Sequence, residues 1–377
     1  MTALAAGLLL LSVWLAVWSY LLYPPWIRFL AARRGEPGPK DGPLPSVEVI
    51  VSAADEAAVI GGRVRDLLAQ EYSGPLAVAI GCDGCTDATA ARAREAAAGD
   101  GRVRVVEFAP RRGKASVIND LAASSPAEVL VFTDANTRFE PGAVDRLARR
   151  LADPDTGAAC GRLVLDSPDG SRTPEGEFWE RETRSKEAEG RLGVCLGANG
   201  AIYAARRDGV EKLPADTAMD DFLIPARIAF RGRRVVFAAD AVAREAPPPD
   251  VRRELARRFR IGVGAGQVLR RERWLWSGEQ PLLALVFFSR KAARWTAPVA
   301  ALGAAAAALG SEALRPVGFA ALSLAALSLL AVPGRPVPGA AGRLYYFGVI
   351  NVALGAGVLA GLAGYRRPAW KRREGGR

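Results

Sequence analysis

Histidine is absent from all 377 residues. That excludes a Ser-His-Asp triad, a Cys-His pair, an imidazole base and a His-bound zinc. Acid–base chemistry in this chain therefore falls to carboxylates. Cysteine is sparse, with only Cys82, Cys85, Cys160 and Cys195. Cys82-Asp83-Gly84-Cys85 has the C-x-x-C form, but no second pair completes a zinc site, and small buried thiols are the commoner use of cysteine. No G-x-G-x-x-G follows the first apolar strand and no G-x-x-x-x-G-K-[ST] occurs, so the dinucleotide and P-loop fingerprints are both missing. Zinc-finger spacing and basic-aromatic RNA motifs are missing too. The net charge of +11 does not read as a nucleic-acid footprint, because many of the arginines flank apolar segments.

Long apolar runs lie at both ends. Ala3 to Tyr23 carries no charge, and Arg28, Arg33 and Arg34 follow it. A signal peptide would show the reverse order. Residues 1–25 read as an uncleaved anchor with the N-terminus outside, which places the middle of the chain in the cytoplasm of a multi-pass protein of the cell (inner) membrane. Toward the C-terminus, residues 278–294 read as a short interfacial helix ending in Arg290, Lys291 and Arg294. Residues 295–364 supply candidate spans at Trp295 to Leu309, Val317 to Val332 and Leu344 to Gly364, and 365–377 form a basic tail. Four full spans would put that tail outside, against the positive-inside tendency, so the number of spans stays open.

Residues 45–270 read as a globular α/β domain. "PSVEVIVS", "PLAVAIG", "RVRVVEF" and "EVLVF" are predicted strands, separated by helical patterns. That alternation implies parallel pairing and a helix-covered sheet. Ligands of such sheets bind beyond the carboxyl ends of the strands, where Asp55, Glu56, Asp83 and Asp134 fall. Each acid alone is explained as a turn or cap residue. Several on one edge repel one another unless a cation or a donor-rich ligand joins them. "RRGKASVIND" adds a basic loop before a helix, where Arg111, Arg112 and Lys114 are able to meet phosphates.

Four stretches, "VSAADEAAVIGGRVRDLLAQEY", "CDGCTDAT", "RRGKASVIND" and "FTDANTRFEPGA", resemble in order the nucleotide-sugar half of glycosyltransferase family 2. "LGANGAIYAARRD" and "MDDFLIPARIAFRGRRVVF" resemble its acceptor half. The resemblance implies a GT-A (Rossmann-like), mostly parallel sheet domain between transmembrane helices, an NDP-sugar donor, a Mg²⁺ or Mn²⁺ cofactor and inversion at the anomeric carbon. Carried over by position, it assigns Asp55, Glu56, Asp83, Lys114, Asp134, Arg258 and Arg260 to the donor. Asp134 and Asn136 go to the metal, with Asn in place of the second acid of a D-x-D motif. Asp220 and Asn199 go to the acceptor, and Asp221 to the catalytic base. Asp221 opens the apolar helix "FLIPARIAF", where partial burial would favour a base, while the plain alternative for Asp220-Asp221 is a pair of helix caps. One departure stands out. Processive members carry Q-x-x-R-W, whereas this chain reads "ELARRFRIGVGAGQVL", without the tryptophan.

The resemblance thus implies a membrane-bound transferase taking a sugar, in the first instance from a UDP-sugar, to a lipid-linked or polysaccharide acceptor. Its partners would be donor, acceptor and membrane lipid, with no nucleic acid. Two alternatives share the fold: a polyprenyl-phosphate sugar transferase, which needs no base, and a non-catalytic scaffold that only binds sugar nucleotides.

Overall fold

The computed structural model describes residues 1–35, 38, 42–166, 174–246, 251–330 and 339–365. Apart from Tyr365, the expected basic tail lies outside the described residues. The chain divides into two compact units, one drawn from residues 28–247 and the other from 1–27 and 248–366.

The first unit is built on an eight-stranded sheet. Its strands are β1 Val47–Ala53, β2 Leu76–Asp83, β3 Val103–Phe108, β4 Val129–Asp134, β5 Arg138–Phe139, β6 Thr156–Leu165, β7 Tyr203–Arg206 and β8 Arg234–Glu245. Their order across the sheet is β3-β2-β1-β4-β7-β6-β8-β5. The four strands predicted from the sequence form the parallel block β3-β2-β1-β4. β1 is buried along its whole length, as expected of a strand covered on both faces. The short β7 then runs antiparallel to both β4 and β6, while β6 and β8 pair parallel. This half was not legible as strands, because "TGAACG" and "YAAR" are mostly small residues with little β-propensity of their own.

Helices Ile60–Leu68, Thr89–Ala97, Lys114–Ala123 and Ala143–Leu151 turn their apolar positions into the sheet. Charge also lies inside this packing. Glu48 of β1 is 2% exposed, and Arg104 of β3 meets it at 2.7 Å. The same guanidinium donates to the Leu121 carbonyl at 3.1 Å, tying helix Lys114–Ala123 to the sheet. A buried carboxylate without such a partner would be strongly destabilising.

The second unit is helical. Thr2–Ala31 is a 30-residue apolar helix, and Tyr345–Leu362 lies within helix Gly339–Leu362; among the described residues these two are long and apolar enough to cross a membrane. Residues 278–294 do not form a separate interfacial helix. Pro281–Val286 runs through a π-turn, Phe287–Ala292, straight into Ala293–Ala308. The apolar character of both flanks carries the helix through, and Arg290 is buried at 1% exposure. Arg315–Leu330 is a further apolar helix of this unit.

Helix Val251–Arg271 crosses Gly339–Leu362 through glycines on both sides. A Cβ at Gly357 would lie 2.3 Å from the Phe259 carbonyl oxygen, and one at Gly262 would lie 2.3 Å from that of Leu354. Small residues spaced by four allow this backbone approach, as in membrane helix pairs. Gly357→Ala should therefore cost about 1–3 kcal/mol by overpacking. Gly348→Ala, where nothing lies within 4 Å, should cost nothing measurable. Thermal midpoints of the two variants in detergent, compared with the parent chain, test this; equal midpoints would refute the crossing.

Candidate active site

Parallel register brings the strand ends together. Ser52 of β1 stands opposite Asp134 of β4, and Ala53 opposite Cys82 of β2. The acids that follow these strands therefore share one edge, as expected, but they do not all face a ligand.

Asp83 is fully buried, and each of its carboxylate oxygens accepts a backbone N–H at 2.7 Å, one from Arg112 and one from Gly113. Its carboxylate is spent on holding the 111–113 loop against the end of β2. Gly113 ends that loop at φ +94°, a conformation open to glycine, and Lys114 begins the next helix. Asp55 sits at φ +57° after β1. It pairs with Arg111 at 2.7 Å and accepts the Thr86 N–H at 2.8 Å. Burial works to raise its pKa, but the Arg111 bond and the Thr86 amide outweigh burial and hold it below the ordinary carboxylate value. Arg111 thus serves Asp55 and is not turned outward as a phosphate contact. The Glu56 N–H donates to the Thr89 hydroxyl at 2.8 Å.

The centre of the edge is Lys114. Its ammonium lies 2.9 Å from Asp134 Oδ1 and 3.3 Å from Asp220 Oδ2. The Tyr203 hydroxyl donates to the same Asp220 oxygen at 3.3 Å, and its ring stacks on Phe132 of β4 at 4.8 Å. Burial alone would lower the Lys114 pKa; Asp134, then Asp220 and Asp221, outweigh it and keep the ammonium charged. The Tyr203 phenol is pushed well above its ordinary value, first by burial and then by Asp220 and Asp221. Gly200 closes over the pair, since a Cβ there would lie 3.1 Å from Asp134 Oδ2 and 3.5 Å from Lys114 Nζ. Asp134 itself is one-third exposed.

Two residues expected at the acceptor make contacts within the protein. Asn199 is buried with its amide engaged at both ends: Nδ2 donates to the Gly161 carbonyl at 3.4 Å and Oδ1 accepts the Ile202 N–H at 3.2 Å. It shapes the "GANG" loop. Asp220 is 5% exposed and held by Lys114 and Tyr203, whereas its neighbour Asp221 is half-buried at the opening of helix Asp220–Phe230. Arg258 and Arg260 lie on helix Val251–Arg271 of the helical unit, where Arg258 meets Glu254 at 2.6 Å.

Several members of the site escaped sequence reading. Arg63 is fully buried, donates to the Thr133 hydroxyl at 2.7 Å and lies 4.1 Å over the Phe139 ring, fixing the end of β4 just before Asp134. Burial lowers its pKa to about 10, against the stabilising charge of Asp66. Tyr203 and Gly200 were visible only as part of a small-residue run.

For a divalent cation, Asp134 and the exposed Asn136 offer hard oxygen atoms of the type Mg²⁺ or Mn²⁺ prefers, and both follow the end of β4. The pair fits the ion, with one negative charge instead of two. Asp55, Cys85 and Asp87 also bring ligand atoms within 4.8 Å of one another, but Arg111 already neutralises Asp55. Asp87 in turn accepts the Ala57 and Thr89 N–H groups at 3.1 and 3.0 Å.

A model of the glycosyltransferase-like family 2 matches residues 45–264. An N-acetylglucosaminyltransferase of Rhizobium leguminosarum bv. viciae is 28% identical over 176 residues, 45% of this chain and 41% of that protein. One of Bradyrhizobium elkanii is 30% identical over 126 residues, 33% of this chain and 69% of that protein. The chain thus spans less than half the length of the first of these relatives. Among solved structures, a mannosyltransferase of Pyrobaculum calidifontis in complex with GDP-Man and Mn²⁺ has a TM-score of 0.65 and 23% identity, covering 94% of this chain and 99% of that one. At that identity the likeness establishes the fold.

The four cysteines are unbridged, and Cys82 and Cys85 lie side by side near Asp55. The Cys82 thiol donates to Cys85 and lowers its pKa to about 7, against the opposing effect of burial. Iodoacetamide should therefore label Cys85 with a rate that rises through about pH 7, and Cys82→Ala should remove that donation and move the midpoint up. Mass-spectrometric labelling rates across pH test this, and a midpoint near that of free cysteine in the parent chain would refute the pairing.

Proposed function

The chain belongs to the glycosyltransferase-like family 2 and has its GT-A fold, and from this we propose that it is a membrane-bound inverting glycosyltransferase. It takes a sugar from an NDP-sugar, in the first instance a UDP-sugar, to a lipid-linked or polysaccharide acceptor on the cytoplasmic side of the cell (inner) membrane. The observation that carries the reading is the Lys114 ammonium joining Asp134 of β4 to Asp220 at the start of helix Asp220–Phe230, with Asp221 next to it in the chain. A donor diphosphate and an acceptor hydroxyl need this pairing of a cationic position with a base a few ångströms away. The two long apolar helices and the arginines after the first of them support the membrane placement.

In the proposed reaction Asp221 accepts the proton of the acceptor hydroxyl as its oxygen attacks the anomeric carbon, and the bond to the diphosphate breaks on the opposite face. Lys114 neutralises charge developing on the departing diphosphate. A divalent cation, when bound at Asp134 and Asn136, supplies further neutralisation of that leaving group. Asp83 and Asp55 act one step back, holding the loop and the turn that border the donor. For Arg258 and Arg260 a part in donor binding remains a proposal that rests on the family resemblance alone. Asp220 is proposed as the partner that aims Lys114, in place of an acceptor ligand, because its carboxylate is already held.

Asp221→Asn should lower the transfer rate by roughly 10² to 10⁴, the usual share of a general base, with donor affinity nearly unchanged. Asp220→Asn should weaken donor binding more than it slows the chemical step at saturating donor. NDP release from a panel of NDP-sugars, paired with calorimetric donor titration, separates the two. Full turnover by Asp221→Asn would remove the base and leave the phosphate-acceptor alternative. Donor binding without turnover by the parent chain would support a scaffold.

A further inference from the structure

Before any ligand arrives, Asp134 at the end of β4 already has a counter-ion. Asp134 contributes one negative charge, Asn136 contributes none, and the Lys114 ammonium stands 2.9 Å from Asp134 Oδ1. The same ammonium is 3.3 Å from Asp220, so it is held between two carboxylates. Gly200 closes over Asp134 Oδ2 from the other side and limits where Lys114 could go. A divalent cation approaching alone meets one carboxylate and, at nearly the same distance, a like charge. The ammonium competes with the cation for that carboxylate, at contact distance on Oδ1.

A nucleoside diphosphate changes that balance. It brings several negative charges and hard oxygen ligands, which complete a Mg²⁺ or Mn²⁺ shell that one carboxylate and one amide leave mostly open. It also gives the Lys114 ammonium a phosphate to face. We propose that Lys114 is a built-in counter-ion that makes metal entry conditional on the donor diphosphate, so that cation and nucleotide load together and the cation does not load first. This rests on the donor site of the proposed function and adds an order of loading to it. A second consequence follows for Asn136: with Asp at this position the site would regain a charge, and the condition would relax.

The test is Mn²⁺ binding read by the loss of the free-ion EPR signal, on the full chain in detergent, with and without UDP or GDP. The parent chain should bind Mn²⁺ at least tenfold more tightly with its nucleotide than without. Lys114→Gln should bind Mn²⁺ alone at least tenfold more tightly than the parent, while binding UDP or GDP alone more weakly. Lys114→Arg, which keeps the charge, should behave as the parent does. Because Lys114 opens a helix and Gln there could disturb the fold, Asn136→Asp provides an independent arm at an exposed position. It too should raise the affinity for Mn²⁺ alone. Tight Mn²⁺ binding by the parent without nucleotide, or unchanged Mn²⁺ affinity in both Lys114→Gln and Asn136→Asp, would overturn the loading order while leaving the donor site standing. If neither UDP nor GDP binds under any condition, the donor site falls, and the loading order falls with it.

Discussion

The Lys114 ammonium between Asp134 and Asp220 is the contact on which the candidate site depends. Asp134 ends a strand of the parallel block, and Asp220 opens a helix far along the chain. No backbone ladder joins them directly. The lysine does so electrostatically, and Tyr203 completes the cluster by donating to Asp220 while stacking on β4. Such a partly buried cluster holds because Asp134 and Asp220 each have a donor. Without the ammonium, Asp134, Asp220 and Asp221 would be left as unrelieved like charges.

The position of Lys114 is itself a consequence of Asp83. That carboxylate caps the loop through the Arg112 and Gly113 amides, and the loop delivers Lys114 to the first position of its helix. Arg111 turns back to Asp55. An acid that looks like a ligand contact thus acts as a fixture for the residue that makes the contact. Arg63 does similar service under β4, binding Thr133 and Phe139 from a helix on the other side of the strand. These supports are buried, so their burial is compensated by specific bonds and they place the neighbouring side chains narrowly.

The helical unit uses a different principle. Its apolar side chains give little discrimination among neighbours, and close backbone contact does more of the work. The glycines of Val251–Arg271 and Gly339–Leu362 admit that contact. Hydroxyls add a few directed bonds, as in Ser12 to the Ala297 carbonyl at 2.9 Å and Thr2 to Ser311 at 2.8 Å. Arg294 donates to the Ser19 carbonyl and lies over the Tyr20 ring, which keeps a cation within an otherwise apolar bundle.

The sequence by itself determined the four parallel strands, the acids that follow three of them, the carboxylate character of any base in a chain without histidine, and the apolar helices at both ends. These follow from local periodicity and from residue types, which one stretch of chain carries alone. Tertiary structure decided which acids are engaged and by what. Asp83, Asn199 and Asp220 look as available as Asp134 and Asp221 when read along the chain. Only the crossing of separate segments gives the first two to backbone amides and carbonyls, and Asp220 to Lys114 and Tyr203. The antiparallel β7 and the continuous helix through Arg290 were likewise settled by packing, because small or uniformly apolar residues leave strand direction and helix ends undetermined until a neighbour is in place.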